Sequence, residues 1–375
     1  MSTFSEFELL PSLQETLKEK KFLKTTEIQA RAIPLLLKGK SVVGVAETGS
    51  GKTLAFALPI LHHLKTLENN GDRITKDGQP RAVVIVPTRE LGEQVAKVFK
   101  PFTHTTRLRV RTVLGGTTME MARRSIAGPF EVLVATPGRL LQLLEKRQVN
   151  FSDIRIFVFD EADQMLDQGF LTDAIRLVTF CPRERQMALF SATVSQSVQE
   201  LMKKLFSDAE VIRSAGSAKV VRTLTTQNRR VSDGKRAPLL ERVIAEPVTG
   251  GTLVFTNTRE QCDTLFKEMK DKGCKCAIYR GEMDKTERRK NLKAFREGSI
   301  DFLISTDLAG RGLDVDHVGR VINYHLPRGM DNYLHRAGRT ARAGREGLVI
   351  NFVTERDEEL MERLEEMKQP TRTRR

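Results

Sequence analysis

The chain is 375 residues long and 39% hydrophobic, with 62 Lys and Arg against 48 Asp and Glu, a formal net charge of +14. That length suits two domains of ordinary size, and no apolar run approaches the ~18–20 residues of a membrane span. The basic excess favours a polyanionic partner such as nucleic acid, with plain solubility as the alternative. The opening MSTFSEFELL lacks the charged-then-apolar layout of a secretory signal, so a soluble cytoplasmic protein is expected. Of the four cysteines only Cys274 and Cys276 are close, as C-K-C, which is not a zinc spacing. There is no Trp and there are 3 Tyr, which argues against aromatic stacking as the main binding mode.

Short β-branched runs alternate with helical patterns along the chain. SVVGV (41–45), AVVIV (82–86), RTVL (111–114), EVLVAT (131–136), IRIFVF (154–159) and MALFSA (187–192) read as buried parallel strands. They form a first α/β domain over 1–212, with NNGDRITKDGQP (69–80) as an exposed loop. The small, polar stretch 213–223 reads as a linker. TLVFT (252–256), KCAIY (275–279), DFLIS (301–305), RVINY (320–324) and GLVINFV (347–353) then predict a second α/β domain over 224–368. The similar pattern of the two suggests duplication. A basic tail covers 369–375.

Ala46-Glu-Thr48-Gly49-Ser50-Gly51-Lys52-Thr53 follows a strand and opens a helix. It is a P-loop variant with Ala46 where the first Gly usually stands. Its backbone N–H groups suit phosphate oxygens, Lys52 the β and γ phosphates, and Thr53 a Mg²⁺ ion. Val158-Phe159-Asp160-Glu161-Ala162-Asp163 ends another strand in carboxylates. Asp160 suits Mg²⁺ and Glu161 suits orienting or deprotonating a water. Together the two motifs indicate an NTPase, and kinases, transporters and GTPases also carry P-loops.

With Asp160 to Asp163 reached, the chain resembles the DEAD-box RNA helicases, from Phe4 to about Val353. The resemblance implies two tandem RecA-like domains, each a mostly parallel sheet with helices on both faces. ATP would lie between them. It implies an ATP- and Mg²⁺-dependent enzyme that locally unwinds short RNA duplexes or remodels RNA–protein complexes. Phe22-Leu-Lys-Thr-Thr26-Glu-Ile-Gln29 is similar to the family's adenine-reading motif, with Lys21 where the family has Gly and Thr25 where it has Pro. Phe22, Thr26, Gln29, Thr48, Gly49, Ser50, Gly51, Lys52, Thr53 and Asp314 would then hold ATP.

Pro87-Thr88-Arg89, Gly115-Gly116 and Thr136-Pro-Gly-Arg139 resemble the loops that hold one RNA strand by its backbone. Such contacts position RNA without reading sequence. Ser191-Ala-Thr193 resembles the motif that couples hydrolysis to strand separation through Asp163. In the second domain, Thr306, Asp307 and Asp314 fall in a motif V-like stretch, and Arg288 in a Gln-x-x-Arg-like element in which Lys285 replaces Gln. His335-Arg336-Ala-Gly-Arg339-Thr-Ala-Arg342 resembles motif VI, which makes Arg339 and Arg342 the expected arginine fingers. Lys52, Glu161, Arg339 and Arg342 are thus the expected catalytic groups. A DNA helicase of the same superfamily and an ATP-gated RNA clamp are the alternatives. A monomer is expected, with partner proteins supplying RNA specificity.

Overall fold

The computed structural model describes residues 2–47, 49–214, 224–307, 315, 317–327, 329–340 and 347–368. The chain divides into two compact units, Met1–Ser217 and Ala218–Arg375.

The first unit is built on a seven-stranded sheet. Its strands are β1 (Val42–Val45), β2 (Ala82–Ile85), β3 (Val110–Val113), β4 (Val132–Ala135), β5 (Ile156–Phe159), β6 (Gln186–Ser191) and β7 (Glu210–Arg213). Every pairing is parallel, in the order β3-β4-β2-β5-β6-β1-β7. The central strands VVGV, AVVI, VLVA and IFVF are buried along their whole length. Alternate residues feed two cores. Val84, Val132, Ile156 and Val158 pack with Phe56 and Phe99 on one face. Val83, Ile85, Phe157 and Phe159 pack with Leu140, Met165 and Leu177 on the other. A sheet covered on both faces needs apolar side chains at every position, which is why these strands read as continuous runs.

The second unit repeats the plan with six strands: β8 (Leu224–Arg230), β9 (Gly251–Thr256), β10 (Cys276–Tyr279), β11 (Phe302–Thr306), β12 (Val318–Asn323) and β13 (Gly347–Val353). All pairings are again parallel, in the order β10-β11-β9-β12-β13-β8. Leu253, Leu303, Val321 and Val349 serve one core. Val254, Ile304, Ile322 and Ile350 serve the other.

Two strands go beyond the sequence reading. β7 and β8 are edge strands, each with only one neighbour, and much of each is exposed. EVIR and LTTQNRR therefore carry no apolar run, and a search for buried strands passes over them. Part of β7 falls in the stretch read as linker. Arg320 on β12 is another departure from apolar expectation. It is 1% exposed, and its guanidinium donates to the Val243 and Glu246 carbonyls, closing the end of the helix Ala237–Ile244.

Candidate functional site

In a parallel sheet every loop that follows a strand leaves by the same, carboxyl edge. The order of strands then decides which loops are neighbours. β5, β6 and β1 are adjacent, so the loops beginning at Asp160, Ala192 and Ala46 lie side by side. β3, β4 and β2 are likewise adjacent and bring together the loops at Leu114, Thr136 and Val86.

The P-loop is shaped by its glycines. Gly49 and Gly51 both take φ of 86°, a left-handed backbone that suits residues without a Cβ. Gly51 caps the helix Lys52–Asn69. A Cβ there would come within 2.3 Å of Gln29 Nε2. Lys52 is 6% exposed, and its ammonium donates to the Ala46 carbonyl (2.7 Å) and the Glu47 carbonyl (3.2 Å) at the centre of the loop. Burial pushes the Glu47 carboxyl up, with Lys52 opposing. Thr53 follows on the first turn, half-buried.

Gln29 reaches the P-loop from the helix Glu27–Leu37, whose N-cap is Thr26. Its Nε2 donates to the Gly51 carbonyl at 3.0 Å, and its Oε1 accepts from the Thr26 N–H at 3.0 Å. Both ends of the amide are thereby oriented. Phe22 is 44% exposed, whereas Phe4 is a core residue at 3%. The two departures from the family pattern have local explanations. Lys21 adopts φ of 59°, the conformation a glycine takes most easily. The Thr25 N–H and hydroxyl both donate to the Ser2 carbonyl, at 3.0 and 2.9 Å, where a proline would forfeit the first bond.

Asp160, Glu161 and Asp163 are 2%, 5% and 1% exposed. Glu161 has φ of 48°, rare for a residue with a Cβ, and its N–H donates to Asp160 Oδ1 at 3.0 Å. Burial, and next the Glu161 charge, push the Asp160 carboxyl up to about 7, with Lys52 pulling the other way. The folded protein therefore holds a proton on Asp160 that the unfolded chain releases near the ordinary aspartate value. The contribution of Asp160 to stability therefore falls as pH rises from about 4 through about 7. An Asp160→Asn variant is expected to lose that slope, which thermal melts of the nucleotide-free protein across this range would measure.

Asp163 is held differently. Its Oδ2 accepts from the Ala192 N–H (3.2 Å), the Thr193 N–H (2.8 Å) and the Thr193 hydroxyl (3.0 Å). Its own N–H donates to the Ser191 hydroxyl at 3.2 Å. The three residues expected to couple the carboxylates to the next strand are thus in direct contact.

At the other half of the edge, the Gly115 N–H donates to the Thr136 hydroxyl at 2.9 Å, and Arg139 Nη2 donates to the Thr117 carbonyl. Gly116 has φ of 79°. Thr88 caps the helix Arg89–Thr106, with Pro87 buried behind it, and Arg89 pairs with Glu93 at 2.8 Å. Helix starts at Thr88 and Thr136 leave N–H groups and hydroxyls at this edge, the chemistry that receives phosphate.

In the second unit, Thr306 ends β11 and is 7% exposed. The Asp307 carboxylate is engaged by Arg336 through Nε and Nη2. Arg339 is 3% exposed and donates through Nε to the His335 carbonyl. Arg288 lies over the Tyr279 ring at 4.6 Å. Thr48, Asp314 and Arg342 lie outside the described residues.

Arg336 is the residue that sequence reasoning undervalued. It is 1% exposed, and besides Asp307 it donates to Asn257 Oδ1 (2.9 Å), Asn323 Oδ1 (3.1 Å) and the His325 carbonyl (2.6 Å). Its five N–H groups are all used. The signal was present as an asparagine within each of two apolar strands, V-I-N in both RVINY and GLVINFV.

Residues 26–201 match the DEAD/DEAH box helicase family model, and residues 235–344 match the helicase conserved C-terminal domain. The RNA helicase RhpA of Helicobacter pylori is 36% identical over 94% of this chain and 70% of its own length. The chain belongs to the DEAD-box ATP-dependent RNA helicases. RhlB of Actinobacillus succinogenes is 35% identical over 94% of this DEAD-box chain and 85% of its own. Among solved structures, Saccharomyces cerevisiae Dbp5 bound to RNA and ADP–BeF3 is similar, with a TM-score of 0.85 and 29% identity over 98% of this chain and 93% of that one. Among the described residues no helix is long and apolar enough to cross a membrane.

The donor set fits a magnesium ion that arrives with a nucleotide. Asp160 and Thr53 offer oxygen ligands, and among the described residues Lys52 is the positive charge acting on the buried Asp160 carboxyl. Among the described residues no cluster of His, Cys, Asp and Glu forms a complete cage. Two protein oxygens completed by phosphates are the usual arrangement for Mg²⁺.

Proposed function

We propose that this chain is an RNA-stimulated ATPase that uses hydrolysis to separate short RNA duplexes or remodel RNA–protein complexes in the cytoplasm. One observation carries the reading. The strand order gathers the phosphate-loop, carboxylate and Ser191–Thr193 segments on one half of a sheet edge and the loops at Val86, Leu114 and Thr136 on the other half.

In this reading Gln29, Thr26 and Phe22 receive the base, and Thr48 to Thr53 receive the phosphates, with Asp314 at the ribose. Bound Mg²⁺, held by Thr53 and Asp160, would neutralise phosphate charge. Asp160 must shed its proton to serve. Glu161 takes a proton from the attacking water. Lys52, Arg339 and Arg342 meet the charge that develops on the transferred phosphoryl group. Pro87, Thr88, Arg89, Gly115, Gly116, Thr136 and Arg139 hold the RNA backbone, with Arg288 and Thr306 from the second unit. Asp307, an anion facing an anion, serves the RNA by fixing Arg336. Asp163, Ser191 and Thr193 couple the carboxylate loop to its neighbours. Backbone contacts carry no sequence information, so partner proteins choose the RNA for a monomeric enzyme.

Steady-state ATPase assays with and without single-stranded RNA test this. RNA should raise turnover by roughly tenfold or more, within the usual range of coupling between sites. Matched DNA should not, and Lys52→Ala should abolish the activity. Equal stimulation by DNA, or none by RNA, overturns the proposal.

A further inference from the structure

Three adjacent strands of the second unit carry an asparagine at one level. Asn228 on β8 is paired with Asn351 on β13, and Asn351 with Asn323 on β12. Asn323 and Asn351 are 0% exposed, while Asn228 opens to solvent at the sheet edge. The next residue in the same row is Phe255 on β9, and the Arg336 guanidinium lies 5.1 Å from its ring centre.

The direction of this ladder follows from chemistry. Arg336 has only donors, so Asn323 must turn its oxygen toward it, and Oδ1 accepts from Nη1 at 3.1 Å. Asn323 then presents its NH₂ group to Asn351 Oδ1, at 2.8 Å. Asn351 in turn donates to Asn228 Oδ1 at 2.8 Å and to the Tyr333 hydroxyl at 3.1 Å. A flip of either buried amide would set NH₂ against a donor, and every bond in the row would fail together. Apolar side chains at these positions would pack the sheet more simply, so the row calls for a reason.

We propose that Asn228, Asn351 and Asn323 form a positioning relay that holds Arg336, and through it Asp307, in the arrangement RNA requires. None of the three is among the residues proposed above to receive nucleotide or RNA. Of the two neutral side chains that accept from Arg336, Asn257 and Asn323, it is Asn323 that lies within a strand. The relay rests on the RNA-stimulated reading above.

RNA-titrated ATPase rates and melting temperatures of Asn351→Leu, Asn228→Leu and Asn228→Asp test it. Asn228 is exposed, so its variants are expected to fold. Asn228→Asp keeps the acceptor that Asn351 needs and should match the parent chain. Asn228→Leu should raise the KM for RNA severalfold and Asn351→Leu about tenfold, equivalent to ~1.4 kcal/mol, with the KM for ATP unchanged. A purely structural row would lower the melting temperature with no change in the KM for RNA, or treat Asn228→Leu and Asn228→Asp alike. Either result overturns the relay. A parent chain that RNA fails to stimulate instead overturns the reading beneath it.

Discussion

Glu161→Gln should lower kcat for ATP by on the order of 10²–10⁴-fold, the usual contribution of a positioned proton acceptor, and should also make the first unit more stable. Glutamine has the same size and can take the same left-handed backbone, at φ of 48°. It loses only the ability to hold a negative charge and accept a proton. The stability gain follows from the neighbouring group. After burial, the Glu161 charge is the largest cause of the raised Asp160 value. Removing it lets Asp160 ionise at lower pH, so the native state is penalised less near neutrality. Each kcal/mol of relief is worth about 2–4 °C in a domain of this size. Calorimetry at pH 8 and multiple-turnover assays on one preparation check both halves. A loss of activity with a lower melting temperature would mean that Glu161 is needed to build the site and not to take a proton.

Asp163→Asn should separate ATP turnover from strand separation. One carboxylate oxygen accepts three bonds from Ala192 and Thr193, and the other accepts the Gln164 N–H at 3.0 Å. An amide cannot repeat this. Whichever way it turns, its NH₂ faces a donor. Hydrogen bonds to a charged acceptor are worth about 1.5–3 kcal/mol each, so a drop of roughly 5 °C or more in the melting temperature is expected. Duplex unwinding should fall at least about tenfold more than RNA-stimulated ATPase, a coupling loss of ~1.4 kcal/mol. Parallel unwinding and ATPase assays with the same RNA measure this ratio. Equal losses would assign Asp163 to the chemistry itself.

Much of this protein is legible in one dimension because the relevant physics is local. Strands buried on both faces must be continuously apolar, so VVGV, AVVI, VLVA and IFVF stand out. The P-loop is a strand, a glycine turn and a helix start in immediate succession, and the carboxylates follow directly on IFVF. Edge strands lack that constraint, so EVIR and LTTQNRR left no comparable mark. Arg336 was visible as a basic residue at motif spacing. Its burial, and the acceptors it collects from Asn257, Asp307, Asn323 and His325, were not, because those residues lie up to 79 positions away.

The sequence by itself determined the family, the two-unit α/β plan and which short segments are the candidates for phosphate and acid–base chemistry. Only the tertiary structure decided how those segments combine. Strand order, set by the packing of crossover helices, makes neighbours of loops far apart in the chain. The dielectric around Asp160 depends on every side chain that excludes water from it, so its proton affinity is a property of the folded unit. The asparagine row exists only once three strands align in register, because a hydrogen bond needs two partners within about 3 Å.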